Sequence, residues 1–269
     1  MLNIGVKKKD EPKKDDELSL SGNPRKPTVE FLPTHVSTFD GLIERKGIER
    51  GNTILLAGGC GAGKSTFCMQ SLYNGALKGE KGVYLTFEEP AEKLKRHMWL
   101  NFGWDIDAME KKGLMSVITV NPFELARSVE AALMRQRGKL LIEIDEMKMP
   151  FTPDRVTIDS ISAIAAAFVT NPEHYRAYLR YLFERLEKYN SVTYGLVETE
   201  QDPTVYSKLG IEEFLSDGVV ILYHIKKEQH RLRAVEILKL RCSNHLKKMV
   251  PYRINEKGIE IFESEEVFV

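Results

Sequence analysis

The feature that most constrains the fold is a glycine-rich stretch at residues 58–65, Gly-Gly-Cys-Gly-Ala-Gly-Lys-Ser. It fits the pattern G-x-x-x-x-G-K-[ST] at every fixed position, and this pattern is typical of a loop that binds phosphate. The apolar run at residues 53–57 suits a buried strand, and residues 66–77 suit a helix. A strand, a glycine-rich turn and a helix in this order predict a site for the phosphates of a nucleoside triphosphate.

Each part of this loop has an expected role in holding a nucleotide. The glycines allow the backbone to turn its N–H groups towards an anion. Lys64 is expected to reach the β- and γ-phosphates, and the Ser65 hydroxyl to bind Mg²⁺. A chance glycine-rich turn is the alternative, and the flanking strand and helix argue against it. The predicted nucleotide-binding residues are Gly59, Cys60, Gly61, Ala62, Gly63, Lys64, Ser65 and Thr66.

The composition limits the partners and the compartment. The chain has 39 basic and 39 acidic residues, so no overall charge attracts it to nucleic acid or to an anionic membrane. Its three cysteines, Cys60, Cys68 and Cys242, lack metal-ligand spacing, which favours free thiols in a reducing cytosol. No apolar run approaches the ~18 residues of a membrane span. We therefore expect a cytoplasmic protein that is not inserted in a membrane.

The first part of the chain differs in composition from the rest. Residues 7–17 are all charged apart from one proline. Such a segment cannot form a core, so residues 1–27 are predicted to be a disordered charged tail. Docking of its lysines on an acidic partner is a less favoured alternative. Residues 28–269 have a globular composition and predict one domain.

Segments with helix and strand patterns alternate beyond the loop. Helices are predicted from Pro90, over residues 122–136, and from Asn171-Pro172, the last with a stripe of core tyrosines and leucines. Strands are predicted at residues 82–87, 116–120, 155–159 and 191–197, and then at 218–225, 232–240, 252–254 and 258–262. This order predicts an α/β fold with a mainly parallel twisted sheet, flanking helices and a C-terminal antiparallel extension.

Carboxylates follow two of the predicted strands, where hydrolysis would need them. Asp159 ends an apolar strand, a position suited to an acid that holds the Mg²⁺ shell; a helix cap is the alternative. Glu88 and Glu89 end a strand that we expect beside the loop strand, where a carboxylate can polarise water. Both could instead be ordinary charges at a helix N-terminus.

Two cations form the third group of candidate catalytic residues. Lys239 and Arg241 lie two residues apart on a predicted strand and therefore point to the same face. They could discourage aggregation at an exposed sheet edge. They could equally complete the active site of a neighbouring subunit, as an arginine finger does. The spacing alone leaves both interpretations open.

Seven short motifs, in order along the chain, resemble those of a KaiC domain, which is a branch of the RecA-like ATPases. The resemblance covers about residues 28–269 and is closest in form to single-domain archaeal or bacterial members. It implies a RecA-like core that binds ATP with Mg²⁺ between the subunits of a ring, usually a hexamer, and hydrolyses it. The motifs are Phe39-Asp40-Gly41-Leu42, residues 58–66, residues 84–90, Gly103-Trp104-Asp105, residues 156–160, residues 214–218 and Lys239-Leu240-Arg241.

The resemblance also implies roles for individual residues. Glu88 and Glu89 match the paired catalytic glutamates of the family, and Glu88 is the better candidate for the base. Lys239 and Arg241 match a pair that reaches the γ-phosphate across the interface, which favours the in-trans interpretation. Cys242 stands where the family usually has glycine. One copy of the domain fits this length, so neither a clock role nor an autokinase cycle is implied.

Three functions stay open on this basis. The first is an ATP hydrolase that exchanges ATP and ADP in a ring and regulates an unknown protein partner. The second is a nucleotide-switched ring that presents a binding surface and hydrolyses little. The third, RecA-like DNA recombination, is disfavoured because the segment at residues 198–203, where a DNA-binding loop is expected, is acidic. Within that segment, Glu198 and Glu200 are candidates for sensing the γ-phosphate.

Overall fold

The structure is a computed structural model that describes residues 29–265, apart from residues 136–148, 171, 202, 204 and 208–209. The predicted tail at residues 1–27 lies outside the described residues. So do Asn171, the first residue of the predicted helix start, and residue 136, the predicted end of another helix.

The described residues form eleven β-strands and seven α-helices. The helices are α1 (Lys64–Ala76), α2 (Ala91–Phe102), α3 (Ile106–Lys111), α4 (Pro122–Arg135), α5 (Ile161–Ala167), α6 (Pro172–Glu187) and α7 (Glu212–Leu215). The strands are β1 (Phe31–Leu32), β2 (Ile48–Glu49), β3 (Thr53–Gly58), β4 (Gly82–Thr86), β5 (Met115–Thr119), β6 (Arg155–Asp159), β7 (Val192–Glu198), β8 (Gly218–Lys227), β9 (His230–Leu240), β10 (Val250–Asn255) and β11 (Gly258–Ile261). Within the described ranges, no helix has both the length and the apolar character needed to cross a lipid bilayer.

Nine of the strands form one sheet in the order β11-β10-β9-β8-β3-β7-β6-β4-β5. The six strands from β8 to β5 in this order run parallel to one another. β9, β10 and β11 extend the sheet by antiparallel pairing. The predicted mainly parallel sheet with a C-terminal antiparallel extension is therefore confirmed.

Helices cover both faces of the sheet because its central strands are apolar on both sides. In β3, Ile54 and Leu56 pack in the core beneath α1, whereas Leu55 packs in the core on the other face. This alternation follows from the two-residue period of a strand, and burial on both faces is typical of parallel sheets. The predicted stripe of tyrosines and leucines on α6 packs in the same core as Leu55. Tyr175 and Leu179, for example, are fully buried, as predicted.

The expectation that β4 lies beside the loop strand β3 is wrong. β7 and β6 lie between them, because strand order depends on how the crossover helices pack and not on the local pattern. Three short helices, α3, α5 and α7, were also not predicted. α5 begins after Ser160, whose hydroxyl accepts a 3.1 Å hydrogen bond from the Ala163 N–H, and α3 begins after Asp105, whose carboxylate caps it in the same way.

Candidate functional site

The predicted phosphate loop lies between the end of β3 and the start of α1. Its last residue, Gly63, has a φ of +90° and forms the N-cap of α1. A Cβ atom at this position would lie 2.6 Å from Ile254 Cδ1. The left-handed backbone therefore favours glycine here, and a larger residue would also have to displace the end of the Ile254 side chain.

The N-terminal end of α1 presents backbone donors suited to an anion. Gly63 has no side chain with which to cap the helix, and the first turn of α1 contains no acidic residue. The Phe67 N–H is already bonded to the Gly63 carbonyl at 2.8 Å, whereas the N–H groups of Lys64, Ser65 and Thr66 have no intrahelical acceptor. Together with the positive end of the helix dipole, these donors fit phosphate groups.

Lys64 lies over the loop that it belongs to. Its ammonium group donates hydrogen bonds to the carbonyl oxygens of Gly58 at 2.8 Å and Gly59 at 3.2 Å. Burial lowers the pKa of Lys64, and nearby carboxylates, with Glu198 the strongest, oppose that change. The lysine is thus held at the loop, near carboxylates that lie at the carboxyl ends of the parallel strands.

Ser65 and Asp159, the two residues proposed as metal ligands, are in direct contact. The Ser65 hydroxyl donates a 2.8 Å hydrogen bond to Asp159 Oδ2, and the buried Tyr84 hydroxyl donates to the same oxygen. Burial raises the pKa of Asp159, while the hydrogen bonds from Tyr84 and Ser65 act in the opposite direction.

The donor set at Ser65 and Asp159 fits Mg²⁺. The described residues contain no group of three or more His, Cys, Asp or Glu side chains that could hold a metal ion. Mg²⁺ usually takes one or two protein oxygens, with waters and substrate phosphates completing its shell. One hydroxyl and one carboxylate beside a phosphate cradle therefore suit Mg²⁺ bound together with a nucleotide.

Glu88 reaches this region although β4 is not next to β3. Glu88 Oε1 accepts a hydrogen bond from the Ser160 hydroxyl, which follows Asp159 at the end of β6. Burial raises the pKa of Glu88, and the hydrogen bond from Ser160 opposes that change, while the negative charges of Glu198 and Asp159 add to it. The structure thus brings Glu88 together with the predicted metal ligand.

Glu89 points elsewhere. Its Oε1 atom lies 3.0 Å from Lys93 Nζ and 3.3 Å from His97 Nδ1, both on α2. Its backbone N–H and carbonyl both bond the Thr86 hydroxyl, at 3.1 and 2.7 Å. The two adjacent glutamates therefore have different surroundings, which their adjacency in the sequence did not reveal.

Glu198 occupies the place that we expected for Glu88. It ends β7, one of the two strands that pair with β3, and lies opposite Gly58 in the parallel register. Its backbone N–H donates a 2.9 Å hydrogen bond to the Ser162 hydroxyl. The sequence signal for this position was the acid at the end of a strand, which had suggested Glu198 as a candidate γ-phosphate sensor.

Side chains from distant parts of the sequence donate hydrogen bonds to three consecutive carbonyl groups of the loop. Gln201 Nε2 donates to the Cys60 carbonyl at 3.2 Å, and Arg233 Nη2 donates to the Gly61 carbonyl at 3.4 Å. The Tyr252 hydroxyl donates to the carbonyl of Ala62. Sequence reasoning missed these residues because no local pattern marks a side chain that contacts a loop more than a hundred positions away.

The predicted cation pair lies at the opposite end of the parallel strands from the loop. β8 runs parallel to β3, and β9 returns antiparallel with Leu240 opposite Gly218, the first residue of β8. Lys239 and Arg241 are therefore level with the start of β3, one strand away across β8, whereas the loop follows the end of β3. Arg241 comes just after the last residue of β9, and its Nη1 atom lies 2.9 Å from Asp217 Oδ1.

The sheet-edge interpretation of these two cations stays open. β10 pairs with β9 at Ala234 and Val235, which leaves the Lys239 end of β9 uncovered by β10. A positive charge there would also discourage edge pairing.

Comparisons with known proteins agree with this fold. A family profile described as "ATPase: KaiC" matches residues 32–266. The crystal structure of a KaiC-like protein from the hyperthermophilic archaeon Pyrococcus horikoshii is similar with a TM-score of 0.71 and 32% sequence identity. That similarity covers 87% of this chain and 100% of the other. It confirms the predicted RecA-like α/β fold.

Curated relatives are similar in sequence to this chain over part of their own length. The circadian clock oscillator protein KaiC of Parathermosynechococcus lividus is 34% identical over 257 residues, which are 92% of this chain and 44% of that protein. The circadian clock protein KaiC3 of a Synechocystis strain is 32% identical, over 87% of this chain and 46% of that protein. The chain thus spans about half the length of the curated relatives it matches. It belongs to the KaiC family of ATPases, and this membership supports an ATP-binding, RecA-like domain.

Proposed function

We propose that this chain binds Mg²⁺ and ATP between neighbouring copies of itself in a ring, a hexamer by resemblance to the family, and hydrolyses the ATP to regulate a protein partner. The observation that carries the proposal is the separation of the two halves of the site. Arg241 is level with Thr53 at the start of β3, with Asp217 between them, and the loop follows Gly58 at the end of the strand. Five steps of about 3.3 Å along the strand place them roughly 17 Å apart, so a cation pair that serves a nucleotide serves that of a second copy.

The loop and its neighbours would hold the substrate. The first N–H groups of α1 and the Lys64 ammonium would bind the phosphates, and Ser65 and Asp159 would hold the metal ion. When bound, Mg²⁺ would neutralise negative charge on the phosphate oxygens. Tyr84 would keep the Asp159 carboxylate in place through its hydrogen bond.

Glu88 is the proposed base. Its carboxylate would accept a proton from the attacking water, and the Ser160 hydroxyl orients it. A raised pKa brings a carboxylate closer to neutral pH, where a general base is more effective. Lys239 and Arg241 of the next subunit would stabilise the negative charge of the transition state. Glu89, paired with Lys93 and His97, would support the first turns of α2.

A nucleotide-switched ring with slow hydrolysis is the second candidate. The hydrogen bond from Ser160 occupies one oxygen of Glu88, and a base that is already engaged transfers protons less readily. In this case ATP would drive assembly and turnover would be incidental.

Two variants test the leading proposal. Glu88→Gln should retain ATP binding and lose phosphate release, whereas Lys64→Ala should lose binding itself. Ring size in the presence of ADP and of ATP, measured beside turnover, distinguishes the two candidates: assembly on ATP without measurable hydrolysis favours the switch. Unchanged phosphate release by Glu88→Gln would discard the assignment of the base.

A further inference from the structure

Asp217 ties the cation pair to the first residue of the loop strand. Its Oδ1 atom accepts a 2.9 Å hydrogen bond from Arg241 Nη1, and its carbonyl accepts one of the same length from the Arg241 N–H. Its other carboxylate oxygen accepts a 3.0 Å hydrogen bond from the Thr53 N–H. One short acidic side chain therefore fixes Arg241 relative to β3.

The neighbouring lysine is anchored in a similar way. Lys239 Nζ donates to the carbonyl oxygens of Ser216 at 2.6 Å and Glu213 at 3.1 Å, at the end of α7. Burial lowers the pKa of Lys239, and the positive charge of Arg241 lowers it further. The anchors thus hold two like charges close together against their repulsion.

Both cations keep donors for another anion. An ammonium group has three N–H donors and a guanidinium group has five. Within the described part of the chain, the α7 carbonyls engage two donors of Lys239, and the ion pair with Asp217 engages only Nη1 of the Arg241 side chain. The Arg241 side chain is 54% exposed, so its remaining donors are accessible from outside the subunit.

The Asp217–Arg241 contact is better suited to orientation than to stability. Ion pairs between exposed side chains contribute little to the free energy of unfolding, because solvent screens them and two side chains lose freedom. A single anchor on a long arginine side chain nevertheless restricts where its free donors can lie. Transfer reactions are sensitive to such placement.

We infer that Asp217 is a positioning residue, which holds the Arg241 guanidinium at the subunit edge where it meets the γ-phosphate of ATP bound by the next copy. The inference rests on the proposed function. Asp217 lies next to the start of β3, roughly 17 Å along the strand from its own loop, so it does not contact the nucleotide bound by its own subunit.

Asp217→Asn tests this role directly. Asparagine keeps an oxygen that accepts from the Thr53 N–H but loses the charge that attracts Arg241. We expect kcat to fall about tenfold or more, with KM for ATP, ring size and Tm unchanged. Asp107→Asn is the matched control: it removes the contact of an exposed aspartate on α3 with Lys95 on α2 and should leave kcat unchanged. Wild-type kcat in Asp217→Asn would overturn the inference.

Subunit mixing separates this inference from the proposed function. Glu88→Gln subunits keep an intact cation edge, and Asp217→Asn subunits keep an intact loop and base. Mixed rings should therefore release more phosphate than the sum of the two variants alone. Arg241→Ala mixed with Glu88→Gln serves as the reference.

Each result of the mixing has a distinct meaning. Recovery in both mixtures supports the role of Asp217. Recovery with Arg241→Ala but not with Asp217→Asn overturns that role and leaves the shared site standing. Recovery in neither mixture overturns the shared site as well. If Asp217→Asn does not fold, Asp217→Ser, which also offers an oxygen to the Thr53 N–H, takes its place in the same mixture.

Discussion

The Ser65 hydroxyl donates a 2.8 Å hydrogen bond to the Asp159 carboxylate across 94 positions of sequence. This contact joins the first turn of α1 to the end of β6 and brings together the two side chains that Mg²⁺ would require. Tyr84 donates to the same carboxylate oxygen from β4, so α1 and β4 both contact one oxygen atom of β6.

Asp159→Asn should raise the Mg²⁺ requirement for nucleotide binding. Asparagine can still accept from Ser65 and Tyr84, but it lacks the charge that holds a divalent ion. We expect the Mg²⁺ concentration for half-maximal binding to rise at least about tenfold, with little change in metal-free affinity. Titration of a fluorescent ATP analogue at increasing Mg²⁺ measures this. An unchanged Mg²⁺ dependence would remove Asp159 from the metal site.

Glu88→Gln and Glu89→Gln should differ in turnover. General-base catalysis contributes about 10²–10⁴-fold, so Glu88→Gln should lower kcat at least about a hundredfold. Glu89→Gln removes contacts to Lys93 and His97 only and should lower kcat far less. Phosphate release at saturating ATP compares the two variants. Equal losses would show that both glutamates act in catalysis, as the family resemblance implies.

The fall of kcat at low pH should follow the protonation of Glu88. Burial and two neighbouring carboxylates raise its pKa, and a base acts only when it is deprotonated. Therefore kcat should fall as the pH is lowered through a value above the ordinary glutamate pKa of about 4.3. Glu198→Gln removes one of those charges and should move this fall to lower pH. An unmoved profile would show that Glu198 does not act on the base.

The raised pKa of Glu88 also has a cost in stability. Between the ordinary and the raised pKa the folded protein binds more protons than the unfolded chain, so the free energy of unfolding falls as the pH rises through that window. Glu88→Gln should therefore raise the Tm of the nucleotide-free protein at neutral pH, but not below the window. Glu89→Gln, which loses its ion pairs, should not raise it. Thermal unfolding at both pH values checks this.

The loop could be predicted from the sequence because its determinants are local. Residues 58–66 carry their own turn, and the flanking strand and helix have clear patterns. The position of Glu88 relative to the loop could not be predicted in the same way, because it depends on strand order. In the sheet, β7 and β6 lie between β3 and β4. The contacts of Gln201, Arg233 and Asp217 depend on tertiary packing. Local patterns in one sequence do not show which distant residues come into contact.

Nucleotide should protect Cys60 from alkylation. Cys60 is an exposed thiol within the loop, Cys68 is buried in α1, and Cys242 is exposed beside Arg241. ATP with Mg²⁺ should slow the modification of Cys60 by iodoacetamide several-fold, and Lys64→Ala should abolish this protection. Peptide mass spectrometry reports each cysteine separately. Equal reactivity of Cys60 with and without ATP would place the nucleotide elsewhere.

Cross-linking of Cys60 to Cys242 tests the shared site most directly, because one thiol marks the loop and the other follows the cation pair. In the proposed ring, the loop of each copy would face the Arg241 side of the next. With ADP and a long bifunctional maleimide, reacted for long enough to offset the several-fold protection of Cys60, we expect a ladder of covalent oligomers up to the full ring, lost in both Cys60→Ser and Cys242→Ser. Monomers alone, or a ladder that persists in Cys242→Ser, would contradict it.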